Sequence, residues 1–214
     1  MKTEEKEVTY KHTNSYSTLN TLTSQTRNVW FVCHGLGYLS RYFLDYFKIF
    51  PPEHNYIIAP QAPSKYYQGS DFKHVGACWL TKENTRTENE NIMTYLDAVY
   101  TSEKIPQQCN FIAFGYSQGV SVLLRWLARK EIYPSKIIIY AGSIPEELTA
   151  DNFSFLDASK TKIYHVFGNN DPYINKQRLE HEFDKLRTLF GNTVVHRSFE
   201  GGHEFKTSIL SEFI

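Results

Sequence analysis

Short runs of β-branched and aromatic residues recur along the chain, at 28–33 (NVWFVC), 56–59 (YIIA), 110–114 (NFIAF), 136–140 (KIIIY), 163–167 (IYHVF) and 193–199. Several are apolar at consecutive rather than alternate positions, the pattern of strands buried on both faces. The stretches between them carry a helical period. Ile92, Met93, Tyr95, Leu96, Val99 and Tyr100 share one face, with Thr87 and Glu90 ahead of them at capping-box spacing. Val120, Leu123, Leu124, Leu127 and Ala128 mark a second helix, Leu179, Phe183, Leu186 and Phe190 a third, and Phe205, Ile209, Leu210 and Phe213 a last one. Strand alternating with helix predicts an α/β fold: a mostly parallel central sheet with helices on both faces. An additional edge strand is expected around Val8–Tyr10. Residues 60–86 break the rhythm, holding Tyr66, Tyr67, Phe72 and Trp79 with no clear period. A connection this long within a compact domain is usually functional, so it is expected to border a substrate site.

The length of 214 residues predicts one domain, 1–214, with a core of ordinary size and little room for a cap. Lys plus Arg and Asp plus Glu each number 23, so the formal charge is zero. That balance argues against nucleic acid or an anionic membrane as partner. The three cysteines (33, 78 and 109) have no C-x-x-C spacing, and they read as free thiols rather than a disulfide framework or zinc site. Residues 1–20 are polar throughout and no apolar run reaches membrane-spanning length, so a cytoplasmic protein without integral membrane association is expected.

Gly115-Tyr116-Ser117-Gln118-Gly119 supplies the sharpest chemical signal. An apolar strand runs into this G-x-S-x-G and an amphipathic helix follows, the setting of a nucleophile held on a tight strand-to-helix turn. A serine hydroxyl needs a base and an orienting acid, and on this architecture they follow in the order acid, then histidine. His165 and His196 lie in strand-like runs and His181 in a helix among charges, whereas His203 sits in the glycine turn Glu200-Gly201-Gly202-His203. His203 is therefore the candidate base. Asp171 ends Gly168-Asn169-Asn170-Asp171-Pro172 just beyond a strand, where ligand groups gather, and it is favoured over Asp151, Asp157 and Asp184 as the acid. His34-Gly35-Leu36-Gly37 also follows a strand directly. The backbone N–H groups of Leu36 and Gln118 are the candidate donors for developing oxyanion charge, with His34 structural. A dinucleotide loop is the rival reading of that segment, but the third glycine position holds Ser40. H-E-x-x-H, the phosphate-binding G-x-x-x-x-G-K-[ST] and Cys/His clusters do not occur, so neither metal nor cofactor is expected.

With these pieces in place, the sequence resembles the α/β-hydrolases. More narrowly it is similar to the acyl-protein thioesterase, phospholipase and carboxylesterase family, from about Val29 to the C-terminus. The likeness also draws on Ala59-Pro60-Gln61-Ala62-Pro63, Trp79 and Ala141-Gly142-Ser143-Ile144-Pro145. It implies Ser117, Asp171 and His203 as a catalytic triad and Leu36 and Gln118 as the oxyanion donors. Residues 60–86 become a wall of the acyl site, with Trp79 at an aromatic substrate-binding position. Two departures border that pocket: Tyr38 stands where the family commonly has Asp, and Leu80-Thr81 replaces the usual Phe-Asp after the tryptophan. Tyr38 thus joins Trp79 as a candidate substrate contact. The expected activity is hydrolysis of carboxylic esters or thioesters. The expected partners are a small-molecule or acylated substrate and, left open, a second copy of the chain. A non-hydrolysing ligand-binding protein on the same fold and an acyltransferase using the same serine are the alternatives.

Overall fold

The computed structural model describes residues 2–214. In chain order the strands and α-helices are β1 (Tyr16–Leu19), β2 (Asn28–Cys33), α1 (Ser40–Phe43), β3 (Asn55–Pro60), β4 (Ser64–Gln68), β5 (His74–Cys78), α2 (Thr85–Ser102), β6 (Asn110–Tyr116), α3 (Gln118–Lys130), β7 (Lys136–Tyr140), β8 (Lys162–Gly168), α4 (Lys176–Phe190), β9 (Val194–Phe199) and α5 (Thr207–Leu210). Seven strands form one sheet in the order β1-β3-β2-β6-β7-β8-β9, and every pairing except β1 with β3 is parallel. The chain moves from β2 outward to β3 and later returns with β6 on the opposite side of β2. The carboxyl ends of β2 and β6 therefore flank a topological switch point, the place where open α/β sheets collect ligands.

The central strands are apolar on both faces because both faces are covered. Val29, Phe31 and Cys33 of β2 pack with Leu96 of α2 and Leu123 and Trp126 of α3. The alternate residues, Trp30 and Val32, face Phe43, Phe47, Phe50, Leu210 and Phe213. Phe111 and Ala113 against Ile112 and Phe114 in β6, and Ile137 and Ile139 against Ile138 and Tyr140 in β7, divide in the same way. Trp30 stacks on Phe50 at 4.7 Å while its indole N–H donates to Asn55 Oδ1 at 3.0 Å, so even the largest core side chain has its polar atom satisfied.

Two expectations from the sequence are corrected, and two segments without a predicted element acquire one. The edge strand is Tyr16–Leu19, antiparallel to β3 with Leu19 opposite Ile57, and not Val8–Tyr10; Val8 and Tyr10 are 85% and 75% exposed and pair with nothing in the sheet. Thr87 and Glu90 do not form a capping box, because α2 starts earlier, at Thr85, after Asn84 in a left-handed conformation (φ 46°). Glu90 instead pairs with Arg129 of α3. Residues 40–49, unassigned in the sequence, form α1 and a 3-10 turn that places Phe43 and Phe47 under the sheet. Lastly, the aperiodic 60–86 segment contains an antiparallel hairpin, β4 with β5. All of β4 is exposed, so no buried face imprints an alternation on it. Among the described residues, no helix is long and apolar enough to cross a membrane.

Candidate active site

Ser117 is the single residue between β6 and α3, and it sits at φ 51°, ψ −120°. A non-glycine residue is strained there, and the neighbouring structure must hold it. Two backbone bonds do so: Ser117 N–H donates to Tyr140 O at 2.8 Å, and Ser117 O accepts from Val120 N–H at 3.0 Å. The flanking glycines are required by close approach. A Cβ on Gly115 would lie 2.6 Å from Val120 Cα, and one on Gly119 would lie 2.6 Å from His34 O. The turn that presents Ser117 is thus packed directly against the end of β2.

His203 comes from the loop after β9 and Asp171 from the loop after β8. The two loops are zipped together by Asn169 N–H to Phe199 O and Asn170 N–H to Gly201 O, both 2.9 Å. The result is a continuous line of contacts. Asp171 Oδ2 is 2.7 Å from His203 Nδ1, and His203 Nε2 is 2.8 Å from Ser117 Oγ. The Asp171 side chain is fully buried, and its Oδ1 accepts the Tyr173 N–H at 2.9 Å. An ionised carboxylate can only accept, so Nδ1 of the neutral imidazole carries the proton and Nε2 presents a lone pair to the serine hydroxyl. The imidazole is held between aromatic rings, Tyr116 near-parallel at 5.7 Å and Tyr173 edge-on at 4.9 Å. This geometry can move a proton from Ser117 to His203.

The loop after β2 is braced on every side. His34 is buried, its Nδ1 donating to Gly35 O at 2.8 Å and its Nε2 accepting the Ala62 N–H at 3.1 Å. Burial lowers its pKa to about 4, which keeps the ring neutral and structural. Gly37 N–H donates to Ala77 O at 2.8 Å, and Gln68 Nε2 donates to Gly37 O at 2.9 Å, so the β4–β5 hairpin grips the loop from outside. The Gln118 side chain accepts the Trp79 N–H at 2.9 Å and donates to Leu80 O at 2.7 Å, tying the start of α3 to the same segment. Among the described residues, the backbone N–H groups of Leu36 and Gln118 have no intramolecular acceptor.

A cavity of about 450 Å³ opens over this group. Leu36, Ser117, Gln118 and His203 line it, with Ser143, Tyr173 and Arg178 among the other wall residues. The two predicted substrate contacts are elsewhere. Trp79 is 1% exposed and donates its indole N–H to His34 O at 2.8 Å, so it lies behind the loop and not in the cavity wall. Tyr38 is half-buried, edge-on to Phe43 and Tyr116, with its hydroxyl 3.2 Å from that of Tyr46. The cavity wall comes from the segments after β7 and β8 and the first turns of α4, which sequence reasoning did not assign to the site. Two signals were available: Ser143 lies just past the carboxyl end of a parallel strand, and Glu182 interrupts the apolar face of α4.

The other histidines after Ser117 are engaged differently. His165 and His196 meet across β8 and β9 at 3.2 Å beside Phe183, and His181 pairs with Glu146 at 3.7 Å on the surface. Asp184 is spent on Arg187, and Asp157 caps its own turn through Ser159. Among the described residues, no three His, Cys, Asp or Glu side chains are grouped to hold a metal ion.

The phospholipase/carboxylesterase family matches residues 16–213 of the chain. No curated protein matches the sequence. Several solved structures are similar to it along most of their length. Acyl-protein thioesterase 2 of Zea mays aligns over 94% of this chain and 96% of its own at 16% identity, with a TM-score of 0.69. A phospholipase/carboxylesterase of Dyadobacter fermentans aligns over 95% and 96% at 16% identity (TM-score 0.65), and the Bacillus cereus carboxylesterase over 94% and 91% at 14% identity (TM-score 0.66). At such identities the shared property is the fold, an α/β-hydrolase sheet with no evident cap.

Proposed function

The chain belongs to the phospholipase/carboxylesterase family, and on that premise we propose that it is a serine hydrolase cleaving carboxylic esters or thioesters through an acyl-enzyme on Ser117. The observation that carries this reading is the 2.8 Å contact from Ser117 Oγ to His203 Nε2, backed by the 2.7 Å contact from His203 Nδ1 to Asp171. The chain acts as one α/β-hydrolase domain in this scheme.

Ser117 Oγ attacks the acyl carbonyl while its proton passes to His203 Nε2. Asp171 holds the imidazole in the required tautomer and stabilises its positive charge. The oxyanion of the tetrahedral intermediate rests on the N–H groups of Leu36 and Gln118, each such donor contributing about 3 kcal/mol in the transition state. His203 gives the proton to the departing alcohol or thiol, leaving an ester on Ser117. Water then attacks that ester, losing its proton to His203, and the carboxylic acid departs as the proton returns to Ser117. The 60–86 segment serves as a brace for the Leu36 loop, since its hairpin and Trp79 bond to Gly37 and His34.

Labelling with a fluorophosphonate, read by intact mass, tests the reading. One adduct is expected on the wild type and none on Ser117→Ala, with labelling strongly slowed in His203→Ala. An unlabelled, folded wild type would refute the scheme. A panel of esters and thioesters of graded chain length then separates the two substrate classes.

A further inference from the structure

The cavity wall is mostly apolar, from Leu36, Ala141, Tyr173 and Ile174, with a polar set among them. Ser121, Ser143, Arg178 and Glu182 all contribute to it. A hydrocarbon laid against the spare Arg178 donors would strip water from them and return no hydrogen bonds.

Arg178 is the charged member with capacity to spare. Its guanidinium is aimed by two bonds, Nη1 donating to Tyr173 O at 2.9 Å and Nη2 to Ser143 Oγ. Its remaining N–H donors have no protein acceptor among the described residues. The other charged side chains nearby are paired with one another: Lys185 with Glu146 at 3.9 Å and Lys176 with Glu180 at 4.0 Å. No carboxylate lies within ion-pair distance of Arg178 among the described residues. Glu182, one helical turn on, is buried and accepts the Ile144 N–H at 3.2 Å. Burial raises its pKa against the opposing pull of the Ile144 N–H, Ser143 and Arg178. The cavity that Ser117 and His203 line therefore also presents an exposed guanidinium with donors to spare.

We infer that Arg178 forms a carboxylate subsite, so that the esters turned over best are small ones bearing a carboxylate on the acyl or the alcohol side. This rests on the hydrolase reading above and specifies its substrate class. A planar guanidinium matches a carboxylate in shape and charge, and in a partly enclosed cavity such a bond is stronger than a neutral one.

The test compares charged and neutral esters of equal size. Ethyl hydrogen glutarate against ethyl 5-methylhexanoate probes the acyl side, and acetoxyacetate against isobutyl acetate probes the alcohol side. In the wild type, kcat/KM for the charged ester is expected to exceed that of its neutral partner by about tenfold or more in one arm. In Arg178→Gln that ratio is expected to fall by about tenfold, mainly through KM, and Arg178→Lys to recover part of it. Glutarate, but not glutaramide, should inhibit the wild type competitively, a readout that needs no variant. No charged preference in either arm, an unchanged ratio in Arg178→Gln, or equal inhibition by acid and amide would each overturn the inference. Fluorophosphonate labelling keeps the two readings apart. A labelled wild type indifferent to charge refutes only the subsite, whereas an unlabelled one refutes the hydrolase reading and the subsite with it.

Discussion

The indole N–H of Trp79 donates to the carbonyl of His34 at 2.8 Å, and the Trp79 ring lies 5.1 Å from the His34 imidazole. That bond pins the backbone two residues before Leu36, whose N–H faces the reacting carbonyl in the proposed mechanism. Trp79→Phe keeps most of the apolar volume but leaves a buried carbonyl without its donor, at an expected cost of about 1–3 kcal/mol. Thermal melting should register that loss. On an ester, kcat should fall roughly tenfold with KM less affected, since a loosened oxyanion donor acts in the transition state. A variant with unchanged kcat would mean that the loop holds itself.

Acid should destabilise the fold through its buried histidines. Burial lowers His34 to about 4 and His165 to about 3, His165 also being opposed by His196. Below the ordinary histidine value near 6.5 the unfolded chain takes up protons that the folded chain refuses. Stability is thus fully present above about pH 6.5 and declines as pH falls through 6.5 toward 4, by up to about 1.4 kcal/mol per pH unit for each histidine. Urea unfolding at a series of pH values measures the slope, and His34→Gln should flatten it. A stability that stays level between pH 7 and pH 5 (roughly the window set by these shifts) would contradict the expectation.

Asp171→Asn tests the orienting carboxylate. The buried side chain bonds to both His203 Nδ1 and the Tyr173 N–H. The amide cannot enforce the tautomer that leaves Nε2 free to accept from Ser117. Loss of kcat by about ten-thousandfold is expected, the size of the effect when a serine protease's triad aspartate becomes asparagine. Circular dichroism checks that the variant is folded.

Gly119→Ala should fail at the level of folding. The added Cβ would press on the carbonyls of Cys33 and His34, which are backbone and cannot step aside. A loss of about 3 kcal/mol or more, or no soluble protein, is the expected outcome. A well-folded and active Gly119→Ala would show that α3 can shift away from β2.

The parts of the fold legible in the sequence were those where burial leaves a pattern. NVWFVC and KIIIY read as two-faced strands because helices cover both sides, and they are β2 and β7. The sheet edge and the 60–86 hairpin were not legible: β1 and β4 are largely exposed, so nothing in their side chains records the pairing. The site divided along similar lines. Ser117, Asp171 and His203 stand in short motifs at the ends of strands, and the structure brings those three together. The cavity wall instead depends on how α4 is laid against the segment after β7, a matter of tertiary placement. Only the family resemblance points Trp79 to that wall; an aromatic in an irregular segment reads equally as a ligand contact or as a buried brace.

Arg178 bonds to Ser143 and Tyr173 and Glu182 to Ile144, while the Leu36 loop and the Ser117 turn are fastened to β2, Gln68 and Trp79. Tyr173 joins the two groups, its N–H on Asp171 Oδ1, its ring against His203 and its carbonyl accepting from Arg178. A change in the α4 turn that re-addresses the molecule to a new ester would therefore be felt by the acid and the base through one shared residue.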